Sequence, residues 1–213
     1  MLFLFTFSSE VEPHKILLKN AYNLECFVSV VELIGYFILG YYLHTKTNLT
    51  ALRYGDWFVT TNMMLVSLSL FLMFNNVYYD KSLSENEKQE NLKKYTFEYL
   101  QENYGTEFLK IMFFNTFMLV FGLMGELKFL DKYVSLFIGL ILFGLSFYYV
   151  VTNFAENILI NNIVLGVFIF IWLLYAIAFM MKFEQKNIAY NILDLISKNM
   201  FGVFLFSYMK YIV

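Results

Sequence analysis

Residues 158–181 read ILINNIVLGVFIFIWLLYAIAFMM, a run of 24 residues without one charged side chain. A helix needs about 20 mostly apolar residues to cross a hydrocarbon core roughly 30 Å thick, so this stretch alone puts the chain in a bilayer. Five further segments meet or approach that length, at roughly 24–43, 54–75, 108–126, 133–152 and 188–209. Residues 1–12 open on an apolar run that Ser8, Ser9, Glu10, Glu12 and then Pro13 interrupt, and they read as a short or incomplete first helix. No basic stretch precedes that run and no small-residue cleavage site follows, which argues against a signal peptide. Residues 14–23, with Lys15 and Lys19 among Ile16, Leu17 and Leu18, read as an amphipathic connector at the membrane interface. The expectation is an all-α membrane protein, a seven-transmembrane-helix bundle forming a single domain over 1–213.

Composition agrees. Of 213 residues 60% are hydrophobic and only 15% charged, too little charge to wet the surface of a soluble domain. The net charge of -2 offers no basic patch to neutralise phosphates, so a nucleic-acid partner is excluded. One cysteine, Cys26, allows no disulfide framework, and two histidines, His14 and His44 in polar flanks, are too few for a zinc cluster, so no metal is expected. The long polar stretch at about 76–107 mixes four lysines with many glutamates and reads as a charged extramembrane connector. With the N-terminus outside, the inner loops carry Lys15, Lys19, Lys81, Lys88, Lys93, Lys94 and Lys210, against Lys46, Lys128, Lys132, Lys182 and Lys186 outside. Seven against five favours that orientation.

The residues that carry chemistry are those costly to bury. Charges at membrane depth mark functional sites and need named partners; here they are Glu32, Arg53, Asp56, Asp194 and Lys198. Lys198 stands in an apolar helix from which its ammonium cannot easily snorkel to water. Asp194, four residues earlier, shares its face one turn away. Asp56 lies on another helix beside Arg53, the only arginine in the chain. An ion-pair network that merely fastens helices is the bland alternative, but small or neutral polar residues commonly do that. A desolvated lysine attacks carbonyls readily, and the resulting Schiff base needs nearby carboxylates to keep its proton.

These residues carry a resemblance. Arg53-Tyr54-Gly55-Asp56-Trp57-Phe58-Val59-Thr60-Thr61 resembles the third-helix pattern R-Y-x-D-W-x-x-T-T of microbial rhodopsins, and Leu193-Asp194-Leu195-Ile196-Ser197-Lys198 resembles their seventh helix. Trp172-x-x-Tyr175-Ala176-x-x-Phe179 resembles the sixth-helix W-x-x-Y-P-x-x-W, with Ala176 for the proline and Phe179 for the last tryptophan. Gly122-Leu123-Met124-Gly125 resembles the small-residue stretch of the fourth helix, and Tyr36 falls where the second helix often carries a tyrosine beside the seventh-helix aspartate.

The resemblance implies a retinal cofactor bound to Lys198 as a protonated Schiff base. It implies Asp56 as primary counterion and proton acceptor, tuned by a hydrogen bond from Thr60. Asp194 would be the second counterion, held by Tyr36 and Tyr175, with Arg53 stabilising both carboxylates. Trp57, Thr61, Gly122, Trp172, Tyr175 and Phe179 would line the chromophore, and an apolar Met64 implies green rather than blue absorption. The triplet Asp56-Thr60-Ser67 resembles the D-T-S pattern of rhodopsins from giant viruses of marine protists. Ser67 cannot donate a proton by ionising, so reprotonation is expected to come slowly, through water.

Three functions follow, none of them enzymatic. An outward proton pump draws on Asp56, Asp194, Arg53 and Thr60. A light-gated cation channel draws on Glu32 and Asn199, which resemble the central gate of cation channelrhodopsins; Ser8 or Ser9 would then supply the serine of the first helix. A sensory photoreceptor has no fused transducer to support it. The pump is the favoured reading. Expected partners are the lipid bilayer (the host cell's, if the protein is viral), retinal, transported protons or small cations, and further copies of the chain in a homo-oligomer.

Overall fold

The structure, a computed structural model, describes residues 12–42 and 49–212. A 3₁₀ turn at Pro13–Lys15 leads into α1 (Ile16–Tyr42), followed by α2 (Leu49–Tyr78), α3 (Glu85–Lys93), α4 (Phe97–Glu126), α5 (Lys132–Phe154), α6 (Leu159–Met180) and α7 (Phe183–Tyr211). No strand occurs among the described residues. All but α3 are long and apolar enough to span a bilayer, which makes this a multi-pass integral membrane protein. Large apolar side chains such as Phe37, Phe137, Phe170 and Leu195 stand outward on these helices, where lipid rather than water suits them. The expected first helix, with Ser8 and Ser9, lies outside the described residues, as does His44.

One expected boundary is corrected. Residues 14–23 are not a surface connector but the first turns of a spanning helix. Leu17, Leu18 and Ala21 are wholly buried there, while Lys15 leans back to Glu12 at 3.9 Å. A lysine stem can lie along an apolar helix with its head at the membrane edge, which is how two lysines fit in a helix that begins inside the core. The polar stretch at about 76–107 is largely helical, because α2 continues to Tyr78, α3 lies within it and α4 starts at Phe97. Helix α3 is fixed by a capping box: Ser84 accepts from the Glu87 N–H, and the Glu87 carboxylate accepts from the Ser84 N–H at 2.8 Å. A further bond from the Ser84 hydroxyl to the Glu87 carboxylate (2.7 Å), together with that from the Ser84 N–H, holds the Glu87 carboxyl below its usual range.

Helix α2 is the axis of the bundle. In its most apolar stretch 72% of residues are buried, against 22–39% in the other spans, so α2 is the helix the others surround. It packs along α1 and α4, while α7 closes the ring between α1 and α6. Two glycines let α4 come close. A Cβ on Gly122 would sit 2.8 Å from the Tyr54 hydroxyl of α2, and one on Gly125 would meet Ser135 of α5 and, at 3.0 Å, Phe179 of α6.

The α4–α5 turn is tight. Phe129 N–H bonds Met124 O at 2.9 Å and Lys128 N–H bonds Gly125 O at 3.2 Å, the Schellman pattern. The residue at its left-handed position is Lys128, with φ 62°, where glycine is the usual occupant. A side chain there costs about 1 kcal/mol. Lys128→Gly should therefore raise the thermal midpoint by about 2–4 °C, checked by melting the detergent-solubilised protein; an unchanged or lower midpoint would contradict the assignment of strain to this residue.

Candidate functional site

The residues of α2 that matter fall at 53, 56, 60 and 67, spacings of three, four and seven that keep them on one helical face. That face looks into the bundle towards α7. There Lys198 is 1% exposed, and its ammonium is in direct contact with Asp56 Oδ2 while lying 3.9 Å from Asp194 Oδ1. The five charges singled out from sequence do converge: Arg53, Asp194 and Lys198 are buried together, with Asp56 against Lys198, and Glu32 is also buried on α1.

The two aspartates are solvated differently. Asp194 accepts four hydrogen bonds: from Arg53 Nη1 (3.0 Å) and Tyr36 Oη (3.2 Å) on Oδ2, and from Trp57 Nε1 (2.9 Å) and Tyr175 Oη (2.9 Å) on Oδ1. Asp56 meets Lys198 with one oxygen, and its buried Oδ1 has no hydrogen-bond partner among the described residues. So both Asp194 oxygens are held by donors from three helices, α1, α2 and α6, while Asp56 keeps a free acceptor oxygen. The tyrosine contacts of Asp194 match the expectation. Arg53 differs, since its bonds go to Asp194 and to Asn191 Oδ1 (2.7 Å), not to Asp56. Thr60 differs too: its hydroxyl bonds the backbone carbonyl of Asp56 at 3.0 Å rather than the carboxylate. A helical threonine reaches its own i−4 carbonyl without moving, and here that local bond wins.

Beside Lys198 lies a cavity lined chiefly by apolar and aromatic side chains, among them Trp57, Met64, Trp172, Tyr175 and Phe179, with Thr61 in the wall. Gly122 is not in the lining; it stands behind Tyr54, which is. Thr61 is held by Asn115 of α4, whose Nδ2 donates at 2.8 Å. Glu32 and Asn199 do meet, Asn199 Nδ2 donating to Glu32 Oε2 at 3.3 Å.

Sequence reasoning missed three groups. The Trp57 indole bond to Asp194 is one, where the resemblance implies only a wall of the chromophore site. Glu25 is the second: 1% exposed and in direct contact with the Ser67 hydroxyl. It escaped notice because the helix was started at 24, which left Glu25 at an end; hydrophobic Leu17, Leu18 and Ala21 one to two turns earlier were the available signal. A third is the pair of Glu126 and Lys186, of which the sequence marks only Lys186, as one of the outer lysines.

Comparison with known proteins fits this geometry. The sequence matches the family described as bacteriorhodopsin-like protein over residues 1–212. The chain belongs to that family. Among solved structures, the viral rhodopsin OLPVRII superposes with a TM-score of 0.77 at 26% identity, covering 99% of this chain and 90% of that one. A blue light-absorbing proteorhodopsin from Med12 gives 0.66 at 20% identity, covering 96% and 87%, and shares the fold. A search of curated proteins returns no match. Microbial rhodopsins of this family are retinal proteins that act as light-driven transporters or channels rather than as classical enzymes.

The residues present fit retinal. A buried lysine borders an apolar, aromatic-walled cavity lined from α2, α4, α5, α6 and α7, and a buried carboxylate oxygen of Asp56 lacks a partner among the described residues. The balance of two acids and two bases is itself testable. Asp194→Asn leaves Arg53 and Lys198 facing a single aspartate, and removing one partner of a buried pair costs about 3–5 kcal/mol. Chemical denaturation in detergent should show a loss of that size, and a loss below about 1 kcal/mol would mean that Asp194 does not neutralise Arg53.

Proposed function

We propose that this protein is a light-driven outward proton pump that carries retinal on Lys198 and uses Asp56 as proton acceptor. The observation that supports it best is a pair of carboxylates set at two levels along α2, Asp56 of α2 itself and Glu25 reaching in from α1. Asp56 touches the lysine, and Glu25 is buried against Ser67, eleven residues or about 16 Å further along α2. When bound to Lys198, retinal supplies the visible absorption and a light-driven change of geometry that lowers the proton affinity of the lysine nitrogen. The Lys198 nitrogen then gives its proton to Asp56, whose Oδ2 already touches it and whose Oδ1 is free to take up a further bond. Asp194 stays charged, held by Arg53, Tyr36, Trp57 and Tyr175, so the site keeps one anion against one guanidinium throughout.

Glu25 fills the role that Ser67 cannot. A protonated carboxyl bonded to the serine hydroxyl can return a proton to Lys198 from the inner side, and Ser67 holds it in place. On the inner side of Glu25 the bundle is sealed by a neutral network. Tyr208 donates to Asn75 (2.8 Å), Asn75 to Asn161 (2.8 Å), Asn161 to Asn76 (2.9 Å) and Asn76 to the Phe154 carbonyl (2.9 Å), tying α2, α5, α6 and α7 together. A barrier of satisfied amides beneath a buried acid suits a pump, which must never be open to both sides at once.

A light-gated cation channel is the second reading, supported by the contact of Glu32 with Asn199. Photocurrent measured against voltage separates them. The pump reading expects current of one direction across the whole range; reversal at a cation equilibrium potential overturns it. Glu25→Gln should leave proton transfer to Asp56 intact and slow recovery of the dark state about 100-fold, the scale of a lost internal acid. Flash spectroscopy reads both rates, and normal recovery in Glu25→Gln would exclude Glu25 as donor. Lys198→Ala should abolish the visible band.

A further inference from the structure

One buried ion pair has no part in the cycle above. Glu126, the last residue of α4, contacts Lys186 of α7, and their side chains are 5% and 9% exposed. The other Glu126 oxygen, Oε1, accepts from the Tyr190 hydroxyl at 3.4 Å. Tyr190 is the link inward: the Arg53 guanidinium lies over its ring at 5.6 Å, and its ring meets those of Trp57 (4.9 Å) and Tyr175 (6.0 Å), both bonded to Asp194. Outward of the pair the protein opens. Glu126 and Lys186 form part of the wall of a cavity of about 480 Å³ at the α4–α5 turn, together with Lys128, Asp131 and Lys132. A buried pair is a costly brace, since two apolar side chains would fasten α4 to α7 as well. Its position, with the counterion cluster on one side and an open cavity on the other, suits transfer instead.

We propose that Glu126 is the outer exit carboxylate of the proton path, with Lys186 as the charge that makes it let go. This rests on the pump reading. Glu126 takes the Tyr190 hydroxyl proton as that oxygen receives one, through water, from the Asp56 side. Now neutral, Glu126 loosens from the Lys186 ammonium and passes its proton to water in the outer cavity. The carboxylate then re-forms the pair, and only O–H bonds have been broken and made. The titratable groups that face Glu126 are Lys186 and Tyr190 of α7 and Tyr54 of α2, with Lys128, Asp131 and Lys132 around the cavity.

The test follows the proton after a flash in retinal-loaded protein, with a membrane-impermeant pH dye outside and the Asp56 carboxyl band in the infrared. Glu126→Gln should delay arrival of the proton at the dye at least tenfold relative to loss of the Asp56 carboxyl signal, with the dark visible band unmoved. Tyr190→Phe, which keeps the ring and removes only the hydroxyl, should give the same delay and serves if Glu126→Gln folds poorly. In retinal-free protein sealed in vesicles, the infrared band lost in Glu126→Gln should follow the pH of the outer side alone. Unchanged release in a variant that folds and absorbs normally, or a Glu126 band indifferent to outer pH, overturns the exit role. A wild-type photocurrent that reverses with voltage defeats the pump reading itself. Steady outward current with undelayed release in Glu126→Gln defeats only the exit.

Discussion

A lysine held 1% exposed at membrane depth is a standing electrostatic problem, and the arrangement around Lys198 is its solution. Burying an ammonium costs several kcal/mol even after relaxation. Asp56 offsets that cost by direct contact, but a second cation, Arg53, then needs Asp194, and Asp194 needs donors for its remaining lone pairs. Tyr36, Trp57 and Tyr175 supply them from three different helices. Each polar group in the site can be traced to the need created by the one before it. This is why a cluster with so many charges can sit inside an otherwise apolar bundle.

The helix that carries the site also carries the fold. Most of α2 is buried, and its polar residues line up inward as Arg53, Asp56, Thr60, Ser67 and Asn75. Read along that face, the groups change from charged to hydroxyl to amide between the outer and inner ends. Glu25 and Glu126 then sit at opposite ends of the path, one supplied by α1 and one by α4. Neither lies on the helix that holds the motif.

That distribution explains what the sequence made legible. Membrane spans follow from apolar length, so six helices could be drawn from composition alone, with α7 and α2 marked by their misplaced charges. Lys198, Asp56, Asp194 and Arg53 were readable because short-range spacing fixes their relations: four residues within α7, three within α2. Contacts between helices were not readable. Nothing in the spacing tells that Trp57 reaches Asp194, that Glu25 meets Ser67, or that Arg53 gives its hydrogen bonds to Asp194 and Asn191. Helix ends misled most, since starting α1 at 24 rather than 16 turned Glu25 from a buried acid into an apparent surface residue. Thr60 was misjudged for the opposite reason, because a bond within its own helix displaced the longer-range bond expected.

The two partners of Lys198 are held at distances of different kinds. Asp194 shares α7 with it, so their separation is set by one turn of helix and is rigid. Asp56 belongs to α2, so its contact depends on how two helices stand against each other. A slight tilt or slide between α2 and α7 stretches one separation and leaves the other alone. The lysine thus works like a caliper with one fixed jaw and one sliding jaw. Helix displacement, lipid pressure or a neighbouring subunit acting on that boundary would alter the strength of one counter-charge without disturbing the second.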